Sequence, residues 1–237
     1  MGILFVFTCS IAYKVLIRKK QRLNRVFSGF FISLSIGLLL NMIYAAMTDR
    51  ITILIFNFLT NFFLFVGPVF LLIVNMLILE STLIYSVKRQ NKYIISYGIL
   101  LFAGMLILVL LGEIFDSPSE PFLGVKIIEV ENQLVPKWGP IFFIYVVSIM
   151  TIFTLIPINY TNFKIYSRFE TKALKRKWFF YLFGFLGLTV ILYLGSILNL
   201  LDAKIHADVR LIITVSTFSL VIWGYMLYYG IGIELKK

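Results

Sequence analysis

Cysteine and histidine are almost absent: Cys9 and His206 are the only examples in 237 residues. One thiol cannot build a disulfide framework or a Cys-rich metal centre. One imidazole in a connecting segment supports neither a multi-histidine metal site nor a histidine-based triad. No GxxxxGKS or GxxxxGKT run is present to cradle phosphates. Charge is scarce as well, at 14% of residues against about 25% in an ordinary soluble domain. These gaps point away from an enzyme, a metal site and any cofactor.

What is abundant is apolar: 60% of residues are hydrophobic, 17% are aromatic, and the mean hydropathy is +0.96. A helix rises about 1.5 Å per residue and the hydrocarbon core of a bilayer is about 30 Å thick, so roughly 20 apolar residues cross it. The pattern predicts an all-α integral membrane protein, a single domain over 1–237 with seven transmembrane helices. The spans fall near 2–17, 26–47, 53–86, 93–112, 141–161, 178–201 and 211–233. The longest polar segment, 113–140, contains LGVKIIEVENQLVP. Its alternation around an asparagine predicts a short hairpin, either a connector or a lid.

Sidedness hinges on the stretch 53–86, which holds one acid and no base and carries Gly67-Pro68 near its middle. Crossed once, it leaves seventeen of the 22 bases on one face and only Arg50, Lys126, Lys137, Lys204 and Arg210 on the other. Split at Pro68, it leaves ten against twelve. Lysine and arginine bias in short loops sets orientation, so the single crossing is favoured, with the N-terminus outside and the C-terminus cytoplasmic. The first apolar run has no base before it and RKKQRLNR after it, the reverse of a cleavable signal peptide. The net charge of +11 then reads as a topogenic signal that meets the bilayer and its anionic headgroups, with no nucleic-acid partner.

Within the spans, polar residues are few and patterned. Asn57, Asn61 and Asn75 share one face of span three, which places that helix in the interior, either as interhelical glue or as a ligand site. Span two carries Gly29, Ser33, Gly37, Asn41 and Ala45 at four-residue intervals, a face for close helix packing. GLLLN at 37–41 is echoed by GSILN at 195–199, which ends on Asn199 and hints at an internal repeat with a midplane polar site. Glu80 is an intramembrane acid, functional or paired with Lys88 or Arg89. Trp138 and Trp178 flank spans, where amphipathic rings prefer the interface. Asn159 opens an NYT glycosylation sequon, but this topology puts it on the inner face.

A lysine for a retinal Schiff base is missing from span seven, and neither Asp-Arg-Tyr after span three nor Asn-Pro-x-x-Tyr in span seven occurs. A short first span ends in RKKQRLNRVF, and span three has a central Gly-Pro. The outer loop GVKIIEVENQLVPKWGP leads into an aromatic span five, and a basic loop precedes span six. In this order the chain resembles the seven-helix sensor region at the N-terminus of histidine kinases. The sequence ends at ELKK, so the resemblance implies a signal passed to a separate cytoplasmic partner. The expected function is a receptor-like protein taking a small or lipid-like ligand beneath the outer loop, near Asn57, Asn61 and Trp138. Arg168, Lys172, Lys175, Arg176 and Lys177 would meet the partner or anionic lipid. The alternatives are a transporter built on Asn41 and Asn199, or a structural subunit.

Overall fold

The computed structural model describes residues 1–18, 21–117, 120–130, 133–201 and 207–231. Lys19, Lys20, Lys204, His206, Lys236 and Lys237, used above for sidedness or exclusion, lie outside the described residues. The helices are α1 (Gly2–Arg18), α2 (Arg22–Tyr44), α3 (Arg50–Ile84) and α4 (Val87–Phe115). A hairpin of β1 (Val125–Val130) and β2 (Gln133–Trp138) follows. Then come α5 (Pro140–Met150), a π-helical turn (Thr151–Leu155), α6 (Ile156–Arg168) and α7 (Lys172–Leu200). The last helix is α8 (Ala207–Ser216), a 3-10 turn (Thr217–Ser219) and α9 (Leu220–Ile231).

Among the described residues, six helical segments are long and apolar enough to cross a membrane: Arg22–Tyr44, Arg50–Ser81, Val87–Phe115, Pro140–Arg168, Lys172–Leu200 and Leu211–Ile231. The chain is therefore a helical, multi-pass membrane protein. The first helix, α1, has 17 residues and is not among the six. Helices also extend past the expected spans into polar sequence. VKRQNK, expected as a connection, forms the first turns of α4 behind the N-cap Ser86.

Successive helices run antiparallel. The Gly29 and Gly37 positions lie against Phe70 and Leu64, and the Ser33 hydroxyl donates to the Phe63 carbonyl at 2.5 Å, so ascending α2 meets descending α3. A Cβ on either glycine would come within 2.8 Å of its neighbour. Gly184 and Gly230 do the same for α7 and α9, meeting the backbone at Leu227 and at Tyr181. One end of the bundle thus holds Met1, the turn 45–49 and the hairpin. The other, basic end holds Arg18, Arg22, the α3–α4 junction and the α6–α7 junction.

Two prolines lie inside this order, and a tyrosine of α4 bonds the backbone beside each. Pro157 has no N–H and crowds the carbonyl of Phe153. The helix widens through the π-helical turn there, and Tyr93 donates to that carbonyl at 2.7 Å. In the turn preceding Pro68, Tyr97 donates to the Phe65 carbonyl at 2.9 Å. One turn further along α4, Tyr145 of α5 returns a bond to the Leu100 carbonyl at 2.6 Å.

The hairpin pairs Val125 with Trp138 and Val130 with Gln133. It is clamped to α4: the Asp116 carboxylate accepts from the N–H groups of Leu123 and Gly124, Lys126 pairs with Glu113 at 3.2 Å, and Gly139 N–H donates to the Gly124 carbonyl at 2.7 Å. Gly112 and Gly124 touch so closely that a Cβ on Gly112 would sit 2.6 Å from the Gly124 Cα. Trp138 and Trp178 are not interfacial anchors: they are 1% and 3% exposed. Trp138 packs edge-on to Phe142, and the Trp178 indole donates to the Asn162 carbonyl at 3.1 Å.

Two outcomes follow. Gly184→Val forces a side chain onto the α9 backbone and lowers stability by about 1–3 kcal/mol. Gly98→Ala, with no atom within 4 Å of the added carbon, leaves stability unchanged or slightly raised, as read by thermal unfolding in detergent. At the start of α3, the Thr52 hydroxyl, then its N–H, bonds the Asp49 carboxylate at 2.6 and 2.8 Å and holds its pKa below the ordinary carboxylate value. A depressed carboxylate stabilises the fold above its unfolded pKa, and that contribution is lost as pH falls through the lowered value. Asp49→Ala is therefore expected to remove part of the loss of thermal stability on acidification while leaving the remainder.

Candidate functional site

The polar residues of the spans sort into three places. Nearest the hairpin end, a cavity of about 190 Å³ is enclosed by α1, α2, α3, α7 and the bend between α8 and α9. Asn41 and Tyr44 enter from α2, Asn57, Thr60 and Asn61 from α3, Ser196 and Asn199 from α7, and Thr217 from the bend. The rest of the wall is apolar, including Leu4, Leu34, Leu38, Leu64, Phe65, Ile191 and Leu220. Among the described residues, no lysine, arginine, histidine or carboxylate side chain belongs to this lining.

Hydrogen bonding inside the cavity is incomplete. Asn61 donates to the Asn57 carbonyl at 2.8 Å and to its side-chain oxygen at 3.1 Å. Asn57 reaches Tyr44 Oη only at 3.4 Å. Asn199 folds back on the Gly195 carbonyl at 3.3 Å. Thr60, 1% exposed, has a hydroxyl with no partner. A threonine in a helix usually bonds a carbonyl one turn back, so this orphan is a departure from habit. Sequence reading found the four asparagines but not Thr60, because nothing in TNFF marks its hydroxyl as unsatisfied.

The second place is a network centred on Asn75 toward the basic end, complete except for Asn162 Nδ2, which has no partner. Asn75 donates to Thr161 Oγ1 and Asn162 Oδ1, both at 2.9 Å, and accepts from Tyr181 Oη at 3.0 Å. Fully buried, it ties α3 to α6 and α7. Asn75 is thus separated from Asn57 and Asn61, although all three lie in the interior of α3. Trp138 also stays out of the cavity, one ring behind Phe65, with centroids 6.3 Å apart. Among the described residues, none from the hairpin lines the cavity, and the lining comes from Met1, the helices and the 3-10 turn. The echo of GLLLN in GSILN has no matching environment: Gly37 is pressed on Leu64, whereas a Cβ at Gly195 would meet nothing within 4 Å.

The third place is the basic end itself. The segment 163–177 is not a loop: only 169–171 lie between α6 and α7. Lys172, Lys175, Arg176 and Lys177 occupy the first two turns of α7, behind the N-cap Thr171. Lys175 lies over the Tyr166 ring at 5.8 Å, and Arg168 donates to the Leu79 carbonyl at 3.1 Å. Glu80 is ion-paired with Arg89 at 2.9 Å, a structural use of the intramembrane acid. Next to it Ser81 has φ 63°, ending the regular part of α3.

The two polar groups on α3 differ in their answer to mutation. Asn75→Leu leaves Tyr181 Oη and Asn162 without a partner and is expected to cost about 1–3 kcal/mol of stability. Thr60→Val removes an orphan hydroxyl at nearly constant volume, so the unliganded protein keeps or gains thermal stability. Paired unfolding curves check this, and a loss at Thr60 equal to that at Asn75 would contradict the assignment. No protein-family model matches the chain, and neither a curated protein nor a solved structure matches it.

Proposed function

We propose that the chain is a receptor-like sensor of the cell membrane that holds a small ligand in the cavity at the hairpin end and reports it to a separate cytoplasmic partner at the basic end. The observation that carries this is the convergence of Asn41, Asn57, Asn61 and Asn199, from three helices, on one cavity whose polar groups are not used up by the protein. The same helix, α3, continues past Pro68 and enters the Asn75 network with α6 and α7. Packing differences at the cavity therefore have a physical route to the basic end.

In this reading α1 is the seventh crossing. Its 17 residues reach the lower limit of about 17–25 for a span. One face packs Leu4, Thr8, Ile11 and Val15 inward, while Ile3, Val6, Tyr13 and Ile17 face outward as a lipid-facing surface would. The hairpin end is then outside and the basic end cytoplasmic. There Arg168, Lys172, Lys175, Arg176 and Lys177 would face anionic lipid or a signalling protein. The resemblance to histidine-kinase sensor regions fits this division of labour.

A transporter with a midplane site on Asn41 and Asn199 fits the geometry less well. Asn41 is three residues from the end of α2 and Asn199 one from the end of α7. A structural subunit would have no use for amides and a hydroxyl left short of partners around a cavity, and occupying it separates the readings. Gly195→Phe places a ring into the cavity from a position with room for it. The expected outcome is a shift in the distance between spin labels at Lys88→Cys and Ser167→Cys, in a Cys9→Ser background, across the basic end. An unchanged distance in a folded variant favours the subunit reading. Thiol accessibility in sealed vesicles tests sidedness: Lys126→Cys and Lys175→Cys are expected to label from opposite faces.

A further inference from the structure

The cavity carries enough chemistry to name the class of its occupant. This step rests on the reading of the cavity as a ligand site. The geometry points to an uncharged molecule, about the size of a single ring with one polar substituent, that exchanges hydrogen bonds with the Thr60 hydroxyl and the surrounding amides.

Charge is decided by the lining. Among the described residues, an ion entering this site gives up its hydration shell and meets no side chain of opposite charge; Met1, which also lines it, is 44% exposed, so water already screens its terminal amine. A neutral donor–acceptor group loses far less and finds partners for both functions. Size is decided by the volume: about 190 Å³ here compares with about 150 Å³ for a cavity that takes benzene. That leaves room for one ring and a hydroxyl or amide, and excludes a lipid acyl chain held whole.

The polar group is placed by what the protein leaves unpaired. Asn57 and Asn61 spend part of their capacity on each other, whereas Thr60 spends none and is 1% exposed. Gly195 contributes bare backbone opposite, with no atom near its missing side chain. The apolar wall from Leu34, Leu38, Leu64 and Ile191 would take the ring face.

The test uses the full chain in nanodiscs with Thr217→Cys as a reporter on the cavity wall in a Cys9→Ser background. Its rate of reaction with a small neutral thiol reagent is measured against benzamide, benzoate, benzylammonium and sodium chloride. Ile222→Cys, 59% exposed on the lipid-facing side before mutation, controls for partition into the bilayer. Benzamide is expected to protect Thr217→Cys saturably and leave Ile222→Cys untouched, with benzoate and benzylammonium at least tenfold weaker. Adding Thr60→Val, which keeps the shape, is expected to weaken benzamide about tenfold. Benzoate or benzylammonium protecting as well as benzamide, or sodium chloride alone protecting, overturns neutrality while leaving the sensor reading to its own distance test. No protection by any probe overturns the ligand class. Unchanged benzamide protection in Thr60→Val overturns the hydroxyl contact.

Discussion

A carbonyl stripped of its helical partner inside hydrocarbon must be met by another protein group, because no water is there to take it. This protein creates that problem at Pro157 and meets it with Tyr93 of α4, which donates to the Phe153 carbonyl; one turn on, Tyr97 donates to the Phe65 carbonyl beside Pro68. The two bonds fix α4 against both proline-bearing neighbours at once. Close packing of small residues does the rest, with Gly29 and Gly37 admitting α3 and Gly184 and Gly230 joining α7 to α9. Apolar contact with lipid could not select this arrangement, since lipid tails are as apolar as the helices; backbone approach and internal hydrogen bonds can.

Polar side chains are divided by how far they are satisfied. Toward the basic end Asn75, Thr161, Asn162, Tyr181 and Trp178 bond one another across three helices. Around Asn75, whose amide is fully used, such a network specifies one arrangement, although Asn162 Nδ2 at its edge has no partner. At the opposite end of the same helix Thr60 has no partner, and Asn57 reaches Tyr44 at the limit of hydrogen bonding. Rigid glue and open capacity thus sit on α3, on either side of Pro68.

Much of this was legible in the letters. Apolar length marked the six long segments. Alternation around an asparagine marked the hairpin, and spacing by fours marked Gly29, Ser33 and Gly37 as a face that the structure puts on α3. Other features were not. Polar sequence at 87–92 and 163–177 reads as loop, yet its lysines and arginines are good helix formers and the helices run through it. Tryptophans beside spans read as interface anchors, but Trp138 and Trp178 are taken inward by ring packing and an indole bond that the local pattern does not announce. One face of α3 read as a single stripe, whereas different neighbours along its length divide Asn57 and Asn61 from Asn75.

The π-helical turn at Thr151–Leu155 has a consequence for how this chain tolerates change. One residue in a helix corresponds to about 100° of rotation, so the wider turn sets the azimuth of everything in α6. Asn162 and Thr161 point at Asn75 because of that extra residue, and an even winding would swing both amide and hydroxyl toward the acyl chains. The length of this segment is therefore as strictly specified as its composition, and a single-codon deletion there would be felt far more than most substitutions.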